Sequence, residues 1–400
     1  MIVDERGQEA AAVPPVVIAA WQTPARSNGG LESLTALLES CDFSPRLVVT
    51  NRSSRFTERW QQRAPVEIRP MVGGDRPKSR GRRYVAEICA LVRNNAWMAT
   101  RLRETNHPVL HCNDEVALLN FGLGARLVGC PVFFHVRDTR GDRNLYRLLR
   151  WKAFLGLSTA FVTLSREMSD WWLRCLSIAG KPPAGASKVC HLYSVAPEIL
   201  PAPRKNEREL RLTPQLVVGV VGAFSPKKGH LELLENCCRA LAVEGFEFRF
   251  FGDMDVAPAY SLRCREAAGD MIGRRIFFFG HINDPRRICG GLDVVVIASR
   301  HEGLARAMIE ALAAGVPVVS FAVCSAREIL ADHGVGIVVP QGDYPSLVRT
   351  LRAIAHERAR LADMSARAQV VAKTLFAPGA QASAYKKLLG ELCHARRVAR

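Results

Sequence analysis

The sequence SRHEGLARAMIEALAAGVPVVSF, residues 299–321, contains the pattern that decides the fold. A largely apolar run, residues 293–298, precedes it, and a second apolar run ends it; both are typical of strands buried on two faces. Residues 305–314 between them are rich in Ala, Leu, Met and Ile, contain no Gly or Pro, and stop at Gly315, as helices do. The order of strand, loop, helix and strand predicts a parallel α/β sheet.

The loop of residues 299–303 lies where such a sheet binds ligands, beyond the carboxyl end of a strand. Gly303 allows a ligand close to the backbone, and the helix after it offers unpaired N–H groups that suit a phosphate. Glu302 and Glu310 would point about 80° apart on a continuous helix, at roughly 100° per residue. Because Glu302 belongs to the loop, both carboxylates can face one cleft and accept hydrogen bonds from vicinal hydroxyls. We therefore predict a phosphate and sugar site.

These residues resemble the E-x7-E signature of the retaining, nucleotide-sugar-dependent glycosyltransferases of family 4, the glycosyl transferases group 1. The resemblance rests on Glu302, Gly303 and Glu310, on the Ala-rich helix and on the Gly-x-Pro-Val-Val entry to the next strand. It implies an α/β protein of the GT-B fold, in which two Rossmann-like domains face each other across a cleft. It also implies transfer of a hexose-type sugar from a nucleotide diphosphate sugar to the hydroxyl of a glycan, lipid-linked or small-molecule acceptor, in glycan or glycoconjugate biosynthesis. The alternative is an ordinary amphipathic α/β unit with two solvated glutamates.

Length and composition are those of a globular protein. The 400 residues, 48% of them apolar, suggest two or three domains. No run approaches the ~20 apolar residues of a membrane span, and acidic residues near the amino terminus, in place of a cationic region, argue against a signal peptide. The 12 cysteines show no C-x-x-C pair and no zinc-ligand spacing. We therefore expect a cytoplasmic enzyme with reduced thiols.

Positive charge is concentrated in one part of the first half. The chain has a formal net charge of +17, and residues 51–100 hold 11 basic and 4 acidic side chains, including the run RPKSRGRR at 76–83. Such a region either meets an anionic lipid surface or a phosphorylated acceptor, or is a solvated Arg-rich loop. We expect the basic region, residues 52–93, to support peripheral attachment at the inner face of a membrane. A nucleic-acid partner is not expected, because no aromatic platform accompanies the charge.

The predicted first domain, residues 1–198, alternates strands and helices as a Rossmann-like sheet does. Its first strand is followed by Gly29 and Gly30, and a Gly-Gly turn lets the backbone close on a phosphate or sugar. The family has a similar GG-x-E element. His135 ends a later strand at the ligand edge, where the family places a histidine near the donor hexose. The alternative is a core histidine bonded to its backbone neighbours.

A connection rich in Pro and charge, residues 196–214, leads to the predicted second domain, residues 199–378. The family usually has an Asn-Gly-Val-Asp element before this point, and this chain has LYSVA at 192–196 instead. A last helix, residues 379–400, is expected to return to the first domain. The resemblance is strong over residues 216–343 and looser before them.

The turn AFSPKKGH, residues 223–230, resembles the family's Gly-Arg-x-x-Pro-x-Lys-Gly loop. In that loop Arg and Lys hold the donor diphosphate and stabilise the charge that develops on the leaving group. Lys228 matches the Lys, but Ala223 stands at the position of the Arg. Lys227 or Arg306 would have to supply the missing cation.

The resemblance assigns a role to each matching residue. Glu310 grips the ribose, Lys228 neutralises the diphosphate, and His135 closes the site from the first domain. Glu302 and the backbone of the three residues after it hold the hexose, and loops at strand ends hold the base. The predicted catalytic residues are His135, Lys228 and Glu302. The predicted donor-binding residues are Gly29, Gly30, Lys228, His281, Ile282, Glu302, Gly303, Leu304, Ala305 and Glu310.

Retention of configuration without a protein nucleophile implies a front-face reaction in which the departing phosphate takes the acceptor proton. The nucleotide sugar is a co-substrate, and no cofactor or metal is expected. Asp253 and Asp255 match the D-x-D metal motif of a different glycosyltransferase fold. A three-residue motif is easily met by chance, and the surrounding order of elements fits the metal-independent fold.

Two other functions remain open from the sequence. A non-hydrolysing sugar-nucleotide epimerase has a related fold, although it would not need the Lys228 loop together with the E-x7-E pair. A catalytically degenerate sugar-nucleotide-binding protein is suggested by Ala223 and by the missing Asn-Gly element. The donor sugar, the base and the acceptor cannot be read from the sequence.

Overall fold

The computed structural model describes residues 14–23, 28–73, 82–106, 108–137, 145–179, 188–196 and 216–398. Nearly all of the predicted linker and residues 76–81 of the basic run lie outside these ranges. The described chain contains two parallel sheets, one in each half.

The first sheet has seven parallel strands in the order β3-β2-β1-β4-β5-β6-β7. These strands are β1 (Val16–Ala20), β2 (Leu47–Thr50), β3 (Val66–Ile68), β4 (Val109–Cys112), β5 (Val132–His135), β6 (Ala160–Thr163) and β7 (Lys188–His191). The helices between them are α1 (Gly29–Ser40), α2 (Arg55–Gln61), α3 (Arg82–Glu104), α4 (Glu115–Leu127), α5 (Leu145–Leu157) and α6 (Arg166–Ala179). Each crossover contains a helix or a long connection, as parallel pairing requires.

The second sheet has six parallel strands in the order β10-β9-β8-β11-β12-β13. These strands are β8 (Val217–Val221), β9 (Glu247–Phe251), β10 (Ile276–Gly280), β11 (Val294–Ile297), β12 (Val318–Phe321) and β13 (Gly336–Val339). The helices are α7 (His230–Leu233), α8 (Arg239–Val243), α9 (Pro258–Ala268), α10 (Pro285–Cys289), α11 (Arg306–Ala313), α12 (Tyr344–His356), α13 (Arg358–Leu375) and α14 (Pro378–Val398). A π-helical segment, Leu234–Cys238, joins α7 to α8.

The strand, loop, helix and strand predicted from residues 293–321 are β11, α11 and β12. All four residues of β11 are buried, and Val295 pairs with Gly219 of β8 on one side and Val318 of β12 on the other. A strand with neighbours on both edges and helices on both faces needs a continuous apolar run, which is the pattern of this stretch. The element ends differ from the prediction by one or two residues, as is usual at such ends.

Each sheet reverses its direction of winding next to its first strand. In the first sheet β1 lies between β2 and β4, and in the second β8 lies between β9 and β11. Loops that leave neighbouring strands in opposite directions at such a point form a crevice at the carboxyl edge of the sheet. The fold therefore places one crevice in each domain, formed by the loops after β1 and β4 and after β8 and β11.

One part of the first domain contains more regular structure than predicted. The basic connection after β2 contains α2 and β3. Ser54 begins α2 with a capping box, in which its side chain accepts a hydrogen bond from Phe56 N and the Thr57 hydroxyl accepts one from Ser54 N. The apolar pattern did not predict this seven-residue helix, because only Phe56 and Trp60 supply large apolar side chains to the core.

The last helix, α14, packs on the first domain. Tyr385 is fully buried there, and its hydroxyl lies 2.8 Å from Nδ1 of His111 on β4. Lys386 forms an ion pair with Asp42 at 2.6 Å. In the described residues no helix has both the length and the apolarity to cross a bilayer.

Candidate active site

The two crevices together form a cleft of about 490 Å³. The first domain contributes the start of α1 and one face of α2, and the second contributes the loops after β8, β9 and β10 together with α11. The residues of this lining that matter for the chemistry are Asn28, Gly29, Glu32, Arg55, Ala223, Lys228, His281, Ile282, Arg306 and Glu310. Cavities of this size are typical of small-molecule sites.

The loop after β8 positions Lys228 through a close backbone approach. A short 3₁₀ turn, Pro226–Lys228, ends at Gly229, whose φ is +69°. A Cβ added to Gly229 would lie 2.3 Å from the carbonyl oxygen of Ala298, at the end of β11. Only glycine fits both this conformation and this spacing, so the loop lies directly against the loop that carries Glu302.

Lys228 and Glu302 form an ion pair with Nζ and Oε1 2.5 Å apart. Glu302 is 7% exposed. Burial pushes the pKa of Glu302 upward, but the charges of Lys228 and Lys227 and the hydrogen bond from Lys228 outweigh burial, so that the pKa is lower than usual. The carboxylate is therefore ionised at neutral pH, and two predicted catalytic residues meet.

Glu310 lines the cleft, with its side chain 16% exposed. Arg306, one turn earlier on α11, donates from Nε to Glu310 Oε1 at 2.8 Å. Burial raises the pKa of Glu310 and Glu32 adds to this effect, whereas the charge and hydrogen bond of Arg306 act against it. The structure thus places Glu310 in the crevice and pairs it with an arginine.

Gly303, Leu304 and Ala305 are buried between Glu302 and α11. A Cβ added to Gly303 would lie 2.6 Å from the carbonyl oxygen of Arg137, the second residue after β5. The lack of a side chain at Gly303 therefore allows the backbone of the second domain to contact the backbone of the first. This contact joins the loop after β11 to the loop after β5.

Gly29 and Gly30 form the first turn of α1, and Asn28 caps it by accepting hydrogen bonds from the N–H groups of Gly30 and Leu31. A Cβ added to Gly29 would lie 3.7 Å from Cβ of Arg306, across the cleft. A Cβ added to Gly30 would lie 3.1 Å from Cδ of Arg137. The two glycines therefore let α1 approach two arginines, one from each domain.

His135 ends β5 and is 3% exposed. Nη2 of Arg137 lies 3.2 Å from His135 Nδ1, so Nδ1 accepts and Nε2 carries the proton. Nε2 is buried and has no hydrogen-bond partner among the described residues. Burial, with the charge of Arg137 and the neighbouring His111, holds the pKa of His135 well below its usual value. His135 is therefore a neutral N–H donor, and it lies behind the residues that line the cleft.

His281 and Ile282 follow β10 and line the cleft. His281 Nε2 lies 2.8 Å from Asn283 Oδ1, and Arg55 of the first domain donates to the same oxygen at 2.6 Å. Arg55 also forms an ion pair with Glu32. A polar bridge among residues that line the cleft therefore joins the two domains.

Sequence reasoning missed Arg55, Glu32 and the role of Arg137. Arg137 is half-buried, and its guanidinium donates to the backbone and side-chain oxygens of Asn113, which follows β4. The position of Arg137 two residues after His135 indicated a site residue, because β5 ends at His135 on the ligand edge of the sheet. The sequence did not indicate that Arg55 is a site residue, because many other arginines lie in the same basic region.

The D-x-D pair has a structural role. Asp253 is 4% exposed, and its Oδ1 accepts a hydrogen bond from Asp255 N at 3.0 Å, while its carbonyl oxygen accepts one from Phe224 N. These bonds hold the loop after β9 against the loop after β8.

Comparison with known proteins shows which proteins this chain resembles. Residues 203–371 match the family model described as glycosyl transferases group 1. Over 298 residues the chain is 29% identical to 2-deoxystreptamine N-acetyl-D-glucosaminyltransferase from Streptomyces fradiae, covering 67% of this chain and 69% of that protein. It is 27% identical over 174 residues to the lipopolysaccharide core biosynthesis glycosyltransferase LpsE from Rhizobium meliloti (strain 1021), covering 43% of this chain and 49% of that protein.

Solved structures share the fold at low sequence identity. HepE from Anabaena, determined in complex with UDP and glucose, superposes with a TM-score of 0.71 at 17% identity, over 94% of this chain and 99% of that one. A glycosyltransferase from Rickettsia africae ESF-5 superposes with a TM-score of 0.75 at 14% identity, over 96% and 99%. The expected GT-B fold of two Rossmann-like domains is confirmed.

Proposed function

We propose that this chain is a glycosyltransferase of the GT-B fold and of the group 1 kind, and that it transfers a hexose-type sugar from a nucleotide diphosphate sugar to an acceptor hydroxyl with retention of configuration. The observation that carries the proposal is the cleft between the domains, which is lined by Glu310 and by Lys228, and Lys228 is the ion-pair partner of the buried Glu302 behind it. We place the reaction in glycan or glycoconjugate biosynthesis, as the name of the lipopolysaccharide core relative suggests, whereas the name of the 2-deoxystreptamine relative gives a small-molecule acceptor.

The donor fits the cleft by size and by chemistry. A cavity of about 490 Å³ lies in the range of sites for drug-sized ligands. Its lining includes Glu310 and Lys228 of the second domain, Glu32 and Arg55 of the first, and the loop of His281 and Ile282. We assign the ribose to Glu310, the diphosphate to Lys228 and the base to the loop of His281 and Ile282. The complex of HepE with UDP and glucose supports a nucleotide-sugar donor on this fold.

Glu302 and the backbone of Gly303, Leu304 and Ala305 are the proposed contacts of the hexose. The Glu302 carboxylate is ionised and accepts hydrogen bonds from hydroxyls, while Lys228 orients it and offers its positive charge to the departing phosphate. His135 donates a hydrogen bond through Nε2–H, because its imidazole is neutral. Closure of the domains would bring His135 to the hexose and exclude water.

The chemical step needs no protein nucleophile in this proposal. The bond between the anomeric carbon and the phosphate oxygen breaks on the face where the acceptor hydroxyl attacks, and the departing phosphate takes the acceptor proton. We propose that no metal ion takes part, so treatment with EDTA should leave turnover unchanged. The charge that develops on the diphosphate is met by side chains alone.

We also propose that the acceptor is a glycan or a lipid-linked sugar and that the basic region, residues 52–93, meets an anionic membrane surface from the cytoplasmic side. The amino-terminal half of α3 supports this proposal, because Val85, Ile88 and Val92 are 64%, 60% and 63% exposed at helical spacing on one face. Basic residues precede this face in the sequence. An exposed apolar stripe beside positive charge is typical of helices that lie on anionic bilayers.

A screen of UDP-, GDP- and ADP-sugars by thermal shift, followed by titration calorimetry, tests the donor. We expect one of these nucleotides to raise the melting temperature and to bind in the micromolar range. Product analysis by NMR, with and without acceptor, then separates the three functions. Transfer with retained anomeric configuration supports the proposal, and epimerisation of the sugar nucleotide without acceptor would identify an epimerase. Binding with neither transfer nor hydrolysis would identify a degenerate binding protein.

A further inference from the structure

The loop after β8 lacks a cation at one position in the cleft. Ala223 lines the cleft where the family resemblance places an arginine, and Lys228 is already paired with the Glu302 carboxylate. Among the described residues that line the cleft, the second domain contributes one other cation, Arg306. A diphosphate carries at least two negative charges, and one lysine shared with a carboxylate leaves part of this charge unmatched.

One nitrogen of the Arg306 guanidinium, Nε, is hydrogen-bonded, and another, Nη1, is not. Arg306 is the first residue of α11, and its Nε donates to Glu310 Oε1 at 2.8 Å. Its Nη1 is shielded from solvent and has no hydrogen-bond partner among the described residues. A buried donor without an acceptor costs roughly 1–3 kcal/mol. The guanidinium is therefore oriented by Glu310 and still needs an acceptor on its other side.

The surroundings of Arg306 favour an anion as that acceptor. Gly29 of the first domain stands opposite, and a Cβ there would lie 3.7 Å from Cβ and 3.9 Å from Cδ of Arg306, so no side chain separates the arginine from the first turn of α1. Burial lowers the pKa of the neighbouring Arg137 to about 9; Asp114 raises it, and the charge of Arg306 lowers it. A bound anion would relieve the repulsion between these two guanidinium groups.

We propose that Arg306 binds the donor diphosphate in place of the missing family arginine, and that Glu310 positions its guanidinium. This inference rests on the proposed function, because it assumes a nucleoside diphosphate in the cleft. Nε remains on Glu310 while Nη1 donates to a phosphate oxygen. The rigid fork of an arginine permits both bonds at once, whereas a lysine at this position would supply charge without the fork.

Titration calorimetry of four variants tests this assignment with UDP, GDP, ADP and inorganic pyrophosphate as probes. R306L should weaken the binding of pyrophosphate, and of whichever nucleotide binds the wild type, by roughly 10- to 100-fold. R306K should recover part of the loss, and A223R/R306L should recover most of it by restoring an arginine at the family position. R352L is the matched control, because it removes an exposed arginine of α12 that pairs with Glu244 and should leave all four affinities unchanged.

Wild-type affinity of R306L for pyrophosphate and for the nucleotide would overturn the assignment. So would an equal loss for the nucleotide and for its nucleoside, since Arg306 would then not act on the phosphates. If R306L melts at a much lower temperature than the wild type, R306K replaces it in the comparison, because the lysine keeps the charge at this position and removes the arginine fork. If the wild type binds none of the three nucleotides, the proposed function fails, and the pyrophosphate series still decides whether Arg306 is an anion ligand.

Discussion

The chemistry of the cleft depends on two carboxylates whose surroundings differ. Glu302 is paired with Lys228, and the positive charges around it outweigh burial and lower its pKa. Glu310 is paired with Arg306, but burial outweighs this pairing and raises its pKa. Both carboxylates are positioned by a cation of the same domain. This arrangement leaves Glu302 ionised well into acid and makes Glu310 the residue that responds first when the pH falls.

Donor affinity should fall on acidification because of Glu310. In the role proposed for Glu310, the ionised carboxylate accepts hydrogen bonds from the ribose hydroxyls and from Arg306. Its raised pKa means that protonation begins above the ordinary value of 4.5. At neutral pH we expect E310Q to weaken the binding of the selected nucleotide by about 10-fold or more, and to remove this pH dependence. Calorimetry between pH 5 and 8 measures both effects.

E244Q is a suitable control for this series, because Glu244 is a surface carboxylate paired with Arg352. It should keep the wild-type affinity and its pH profile. An E310Q variant with wild-type donor affinity would remove Glu310 from the ribose role.

The Lys228–Glu302 pair should contribute to stability as well as to donor binding. K228M leaves the buried Glu302 carboxylate without its main cation, and we expect a loss of roughly 1–3 kcal/mol in the free energy of unfolding. In the E302Q background the same change should cost much less, since no charge remains uncompensated. Urea unfolding of the two single variants and the double variant gives the coupling energy.

The pH dependence of this contribution follows from the lowered pKa of Glu302. A carboxyl group with a lower pKa in the folded state stabilises the protein fully above its unfolded value of 4.5, and the effect is lost as the pH falls through the folded pKa. The difference in stability between wild type and E302Q should therefore shrink below this pH. If the losses of unfolding free energy in K228M and E302Q simply add in the double variant, the pairing of Lys228 with Glu302 is contradicted.

At the scale of the elements, loops between strands and helices position the chemistry, and one helix presents an unusual surface. The loop after β8 is fixed by Gly229 and the loop after β11 by Gly303, each through a contact too close for a side chain. The helix α3 buries Met98 and Leu102 near its carboxyl end but exposes apolar residues near its start. Because α3 returns antiparallel to the strands, this start lies at the carboxyl edge of the first sheet, on the side of the cleft.

The exposed face of α3 should mediate membrane attachment. We expect V85S/I88S/V92S to reduce several-fold the fraction of protein that sediments with vesicles containing phosphatidylglycerol, because three exposed apolar side chains no longer enter the interface. Neutral phosphatidylcholine vesicles should bind little of either protein. Added salt should weaken binding of the wild type.

V243S/V370S is the matched control, since these residues of the second domain are 73% and 63% exposed. It removes apolar surface of similar exposure away from α3. Equal sedimentation of the α3 variant and the wild type would contradict the attachment.

At the scale of the whole molecule, polar contacts join the two domains. Glu328 of the second domain accepts hydrogen bonds from the N–H groups of Arg166 and Glu167 at the start of α6, and from the Tyr193 hydroxyl. In return, Glu167 accepts a hydrogen bond from Ser325 N at 2.8 Å. Each domain therefore satisfies backbone donors of the other, on the side of the cleft where Gly303 meets Arg137.

Removal of the Glu328 carboxylate should loosen this arrangement. E328A leaves the donors of α6 and Tyr193 without their acceptor, so we expect a loss of roughly 1–3 kcal/mol in unfolding free energy and a larger radius of gyration in small-angle scattering. Donor affinity should also fall, because the cleft depends on both domains. R327A is the control, since Arg327 is the exposed neighbour of Glu328. Unchanged scattering and stability in E328A would show that these bonds do not hold the domains together.

Much of this molecule was predictable from local pattern. Helix α4 has a local signal at its start, because the Asp114 side chain caps it by accepting a hydrogen bond from Ala117 N. Helix α2 was not predicted, because its few core residues lie in a basic segment. The Arg306–Glu310 pair could be suspected from a spacing of four along a helix. The bridge from Arg55 to Asn283 could not, since 228 residues separate its ends.

The sequence by itself determined the two parallel sheets and the positions of Lys228, Glu302 and Glu310 at a ligand edge, because burial periodicity and loop motifs act between residues that are near in the chain. Only the tertiary structure decided that Glu310 is held by a guanidinium with one unused end, that Gly29 and Gly30 face two arginines, and that His135 is a neutral donor behind the cleft. These features depend on the distance between domains and on the exclusion of water, and neither quantity is encoded in a local pattern.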